Sequence, residues 1–205
     1  MAIMTLTYAK TTFLTSVPNH RLAPEDRGAE VAFAGRSNAG KSSALNTITN
    51  QKSLARTSKT PGRTQQLNFF AMDDDHRLVD LPGYGFAKVP QKMKLQWQAN
   101  MSEYLQKRQS LRGLLMMMDC RRPLTEYDIK MLQWCHAANL RTHILLTKAD
   151  KLSRGPAKSA LLDTEKKLAG FHPDATIQLF SSLKKTGVEE ARQVINDWLT
   201  EGSGY

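Results

Sequence analysis

Short apolar runs alternate along this chain with longer stretches whose apolar residues recur every three or four positions. That is the rhythm of strands and helices in a layered α/β fold. Runs at 29–34 (AEVAFA), 68–72, 77–80, 111–118, 142–146 and 176–180 read as strands, and 40–49, 92–108, 126–138, 158–169 and 188–199 as helices. The strands at 68–72 and 77–80 are joined by the acidic turn Asp73-Asp74-Asp75, a hairpin spacing. The expectation is therefore a six-stranded, mostly parallel sheet with one antiparallel strand and helices on both faces. The segment before residue 28 fits the alternation poorly: Phe13, Leu14, Val17 and Leu22 offer apolar surface to the sheet, while Pro18 and Pro24 break any long helix. This divides the chain into an N-terminal extension packed on the domain (1–27), one domain (28–200) and a flexible tail (201–205).

Composition narrows the class. At 205 residues the chain suits one buried core and one active site. No apolar run approaches the roughly 20 residues that span a bilayer, and the first residues lack the basic and apolar regions of an export signal. A cytoplasmic, monomeric protein with no membrane partner is expected. Cys120 and Cys135 are too few for a disulfide framework and lack zinc-site spacing, so they read as reduced packing residues. His20, His76, His136, His143 and His172 likewise show no ligand spacing, and Met116, Met117 and Met118 read as strand core. The 29 Lys and Arg exceed the 19 Asp and Glu, giving a net charge of +10. Such an excess points to a polyanionic partner, RNA or a ribonucleoprotein, rather than to solubility alone. Lys88, Lys92, Lys94, Lys107, Arg108, Arg121, Arg122 and Arg141 are the candidates for such a face, the alternative being a solvated helix surface.

Three motifs carry chemistry. Gly35, Arg36, Ser37, Asn38, Ala39, Gly40, Lys41 and Ser42 form G-x-x-x-x-G-K-S between an expected strand and helix, the context a phosphate-binding P-loop requires. Its glycines let the backbone wrap an anion, so that N–H groups and the positive helix end face the phosphates. Lys41 would bridge the β and γ phosphates and the Ser42 hydroxyl would ligate Mg²⁺. Asp80-Leu81-Pro82-Gly83 ends another strand; Asp80 can hold Mg²⁺ through a water and the Gly83 N–H can sense the γ-phosphate. Thr147-Lys148-Ala149-Asp150 ends a third. There a carboxylate can accept hydrogen bonds from guanine N1 and N2, which adenine cannot offer, with the Lys148 stem over the ring. A P-loop kinase shares the first motif but has no need of the third. A basic RNA-binding protein with a structural nucleotide site is the other alternative.

With Ser181, Ser182 and Leu183, these motifs resemble the G1, G3, G4 and G5 elements of Ras-like, translation-factor-class GTPases. The string Lys59-Thr60-Pro61-Gly62-Arg63-Thr64-Gln65, then DLPGYGFAKV and TKADKL, more narrowly resembles the EngB (YihA or YsxC) family of bacterial ribosome-assembly GTPases, over about residues 10–200. That resemblance implies a Ras-like P-loop GTPase fold, bound GTP or GDP with Mg²⁺, and a role with the large ribosomal subunit or its precursor, rRNA and ribosomal proteins included. It also implies a link to septation and cell division. By the same resemblance Thr64, ahead of Thr60, closes on Mg²⁺ and the attacking water, with Gly62, Arg63, Gln65 and Gln66 beside the nucleotide.

Two departures from the commoner GTPase pattern matter. Thr147 stands where Asn is usual, shortening the tie to the purine and the P-loop to a hydroxyl. Tyr84 follows DLPG where Ras-type enzymes place a water-orienting Gln, so slow hydrolysis is expected, completed by a partner or an ion. Asn38 sits where some GTPases with this gap hold K⁺, the alternative being a side chain that bonds its own turn.

Overall fold

A computed structural model describes residues 6–55, 66–85 and 90–201. Its centre is β2 (Ala29–Gly35), buried along its whole length, as befits a parallel strand covered on both faces. β2 lies between β4 (His76–Asp80) and β5 (Leu111–Asp119), and β6 (Arg141–Thr147) and β7 (Thr176–Leu179) continue the parallel ladder beyond β5. On the other side β3 (Leu67–Ala71) pairs antiparallel with β4, and β1 (Thr12–Val17) pairs antiparallel with β3. β3 therefore runs against the six other described strands.

The sheet thus has seven strands, not the six expected, in the order β1-β3-β4-β2-β5-β6-β7. The added strand comes from the segment that fitted the sequence alternation poorly. It is an edge strand whose residues Phe13 and Leu14 are exposed, so it carries no buried stripe to mark it. A register shift between Phe13 and Thr15 bends it, a common feature of sheet edges.

The strands' two-residue period separates two apolar layers. Ala32, Ala34, Leu114, Met116 and Met118 face α2 (Gln91–Lys107) and α3 (Glu126–Ala137), while Val31, Phe33, Leu115 and Met117 face α1 (Lys41–Ile48) and α5 (Val188–Thr200). α4 (Arg154–Leu168) packs along β7. Helices therefore cover both faces, and the three methionines are core residues divided between them. Because β4 lies on one side of β2 and β5 on the other, the chain order reverses at β2. The crevice beyond the carboxyl ends of the strands at such a reversal is where α/β sheets bind ligands.

Candidate functional site

Each predicted motif sits at that edge. Gly35 ends β2, where an added Cβ would lie 3.0 Å from the Met117 carbonyl oxygen, so the loop leaves between close-packed strands. The loop turns through Asn38 (φ 64°) and Gly40 (φ 90°), both left-handed, with Ala39 N–H donating to the Arg36 carbonyl at 2.9 Å. Lys41 then begins α1. This leaves the positive end of a helix directly behind the loop.

Lys41 and Asp80 are in direct contact through Nζ and Oδ1, with both side chains about nine-tenths buried. An ammonium and a carboxylate held side by side at the P-loop are the groups that a phosphate and a divalent cation would respectively engage, and Ser42 in the first turn of α1 adds a hydroxyl. Leu81 N–H donates to the Phe33 carbonyl at 3.0 Å, Leu81 and Pro82 are buried, and Gly83 follows half-buried.

The third motif is tied to the first. The Thr147 hydroxyl lies 2.5 Å from the Ala39 carbonyl and 3.1 Å from that of Met118. The hydroxyl in place of the usual amide thus still reaches the P-loop backbone. Lys148, itself left-handed (φ 59°), donates through Nζ to the Asn38 carbonyl at 2.7 Å and lies 3.0 Å from Asp119 Oδ2. Ala149 N–H donates to the Phe180 carbonyl at 3.1 Å. The Asp150 carboxylate accepts from the buried Ser181 hydroxyl at 2.6 Å, and that bond holds its carboxyl below the usual range. Ser181 is locked by reciprocal backbone bonds with Thr186 at 3.0 and 3.1 Å, with Ser182 and the exposed Leu183 in the turn between them.

Asp119 was not anticipated from sequence. Standing at the end of β5, it takes Arg121 through both carboxylate oxygens at 2.9 and 2.7 Å, and this pairing, reinforced by Lys148, holds its carboxyl far below the usual range. An Asp at a strand end followed two residues later by Arg was the available signal. A cleft of about 490 Å³ opens beside the P-loop, lined in part by Arg36, Asn38, Asp119, Arg121, Arg122 and Lys148.

Tyr84 does not stand in the phosphate site. Its backbone is stitched to the P-loop, Ser37 N–H donating to the Tyr84 carbonyl at 2.8 Å and Tyr84 N–H to the Gly35 carbonyl at 3.3 Å. Its side chain is buried the other way, against Trp97 and Tyr127, and its hydroxyl donates to Asp128 Oδ1 at 2.7 Å. Burial, with the Asp128 charge second, pushes the phenol pKa well above its ordinary value. Asp128 in turn accepts from Thr125 N–H and hydroxyl at 2.9 and 2.7 Å, capping α3.

The expected basic face is thinner than sequence suggested. Arg108 is buried, bonded to Glu30 at 2.6 and 3.0 Å, and is withdrawn from any surface contact. Lys107 pairs with Glu103, Arg121 with Asp119 and Arg141 with Glu201, whereas Lys92 is exposed. The Gln66 amide faces β1, its Oε1 2.6 Å from the Ser16 hydroxyl. Gly62, Arg63, Thr64, Gln65 and Lys88 lie outside the described residues.

Residues 30–148 match the family model described as a 50S ribosome-binding GTPase. Over 196 residues, covering 96% of this chain and 93% of the relative, the sequence is 56% identical to a probable GTP-binding protein EngB of Salmonella paratyphi B, and the same holds for that of Salmonella typhi. The chain belongs to the EngB family of GTP-binding proteins. Its fold is also that of a crystal structure of a probable GTP-binding protein engB (TM-score 0.68, 19% identity, 84% of this chain and all of that one). Era crystallised with MgGDPNP and nucleotides of 16S ribosomal RNA shares the fold too (TM-score 0.63, 24% identity, 86% and 58%). As an EngB-family P-loop GTPase it binds GTP and GDP, which sets aside the kinase alternative. The family match begins in β2 and ends at Lys148, whereas the likeness to the Salmonella proteins runs nearly the whole length.

Proposed function

We propose that this protein is a GTP-dependent switch that acts in assembly of the large ribosomal subunit and, by its family resemblance, is needed for normal septation and cell division. The observation that carries the reading is the convergence of Lys41, Asp80, Lys148 and Asp150 on one sheet edge, with the guanine-selecting loop bonded to the P-loop through Thr147 and Lys148. Lys41 would neutralise the phosphates, Ser42 and Asp80 would hold Mg²⁺, which would supply charge stabilisation at the γ-phosphate, and the Gly83 N–H would report that phosphate's presence. Thr64, by the family resemblance, would be the switch threonine that joins the Mg²⁺ ligands and orients the attacking water. Asp150 selects guanine, with Ser181 orienting its carboxylate.

Intrinsic hydrolysis is slow, because the side chain after DLPG points away from the cradle and leaves the water without an amide to orient it. A partner, or K⁺ near Asn38, completes the site; equal hydrolysis in KCl and NaCl would remove the ion. The protein works as a cytoplasmic monomer, and its +10 charge favours an rRNA-rich particle. The family's description as 50S ribosome-binding supports the large subunit as partner. The test is co-sedimentation with 50S subunits and their precursors in GDP or a non-hydrolysable GTP analogue. Association is expected with the analogue and not with GDP, and equal association in both would sink the switch.

A further inference from the structure

Away from the nucleotide edge, folding joins two histidines and a carboxylate that the sequence keeps apart. His136 lies in the last turn of α3, and His172 and Asp174 in the loop between α4 and β7. One ligand atom from each lies within 4.8 Å of the others, and the two imidazole centroids are 5.3 Å apart.

His172 is the informative member. It is 4% exposed, and its Nε2 lies 3.0 Å from the Leu140 carbonyl oxygen. A carbonyl only accepts, so Nε2 carries the proton, and in the neutral ring Nδ1 presents a lone pair. That Nδ1 is buried without a hydrogen-bond partner. An imidazole that donates one N–H to a backbone carbonyl while its other nitrogen offers a bare lone pair is arranged as a metal ligand. Its backbone is fixed as well: His172 N–H donates to the Leu168 carbonyl at 2.8 Å and Ala175 N–H to the His172 carbonyl at 3.1 Å. His136 and Asp174 are exposed and can turn toward it.

We propose that His136, His172 and Asp174 form a site for a borderline divalent transition metal, Zn²⁺ being the representative ion. Two imidazoles and one carboxylate suit such an ion, with a fourth position open to water, whereas Mg²⁺ takes oxygen ligands. Tetrahedral bonds of about 2.0–2.1 Å bring donors closer than they lie here, so the exposed pair closes on His172 by side-chain rotation. Leu140 immediately precedes β6, so the site lies at the end of that strand opposite Thr147 and the nucleotide loops. The bound ion fastens α3 to the segment leading into β7. The site is independent of the proposed ribosomal role.

The test uses untagged full-length protein saturated with Mg²⁺ and GDP, so that the nucleotide site is filled. Zn²⁺ is titrated calorimetrically, Co²⁺ is followed by its visible absorption, and Tm is recorded with and without Zn²⁺. One equivalent of Zn²⁺, a tetrahedral cobalt spectrum and a raised Tm are expected. H136A and D174N are each expected to keep GDP binding, while Zn²⁺ affinity falls at least about tenfold and the Tm rise disappears. Absence of binding in the wild type, or wild-type affinity in both variants, would overturn the site.

Discussion

Asp150 shows how one carboxylate can be both legible and dependent on the fold. Its motif marks it as the proposed guanine reader, but the bond that orients it comes from Ser181, thirty-one positions away. Asp150→Asn is expected to weaken GTP binding by about two orders of magnitude, as loss of charged hydrogen bonds implies, and to raise affinity for xanthosine nucleotides. Titration with fluescently labelled nucleotides measures both. Because Ser181 lowers the carboxyl pKa, the ionised form is complete above the ordinary carboxylate range and is lost only as pH falls through the lowered value. Guanine selectivity over adenine, read in the same assay, should therefore be flat from about pH 6 to 8. Tyr84 is the opposite case: sequence placed it after DLPG, and only the fold shows its phenol bonded to Asp128. Tyr84→Phe removes a donor to a buried carboxylate, with an expected loss of about 1.5–3 kcal/mol in urea unfolding and no change in kcat.

At the scale of elements, apolar periodicity identified five helices and six strands. The helix expected over 158–169 occupies Arg154–Leu168, since Pro156 is tolerated in a first turn where its missing N–H would have no partner. The edge strand β1 escaped because its pairing with β3 is made by backbone groups that almost any residue supplies. The packing of α5 on β5 rests on a glycine that sequence did not mark: a Cβ on Gly113 would lie 2.2 Å from Trp198 Cε3. Gly113→Ala must displace that indole, at an expected cost of about 1–3 kcal/mol. Combined with Trp198→Leu it should cost less than the sum of the two single changes, measured by equilibrium urea denaturation.

Across the whole molecule, the nucleotide edge of β2 is balanced by a buried ionic cluster at its other end. Fully buried Glu30 accepts from Arg77 at 2.7 Å and from Arg108 at 2.6 and 3.0 Å, while Asp26 accepts from Ser110 N–H and hydroxyl at 2.8 and 2.6 Å. This joins the start of β2 to β4, to the end of α2 and to the segment before β2. Glu30→Ala removes the one carboxylate that both buried guanidinium groups share, leaving Arg77 the Glu25 carbonyl at 3.0 Å and Arg108 the Asp26 carboxylate at 3.5 Å, and is expected to cost about 3–5 kcal/mol, seen as a lower urea midpoint with an unchanged slope.

The residues 35–42 announce their own chemistry because a phosphate cradle is built from contiguous backbone, and contiguous backbone is written in order along the chain. The two apolar faces of the sheet were legible for a similar reason: a strand buried on both sides needs apolar residues at nearly every position. Asp80 and Asp150 were marked by motifs at the ends of such strands, so the sequence by itself determined the fold class and the family of GTP-binding proteins. What it left to the tertiary structure was every pairing across long separations: β1 with β3, Tyr84 with Asp128, Arg108 with Glu30, Lys148 with Asp119, and His136 with His172. A side chain carries no local trace of whether it turns toward ligand, solvent or core. That choice is made by the neighbours that folding brings to it.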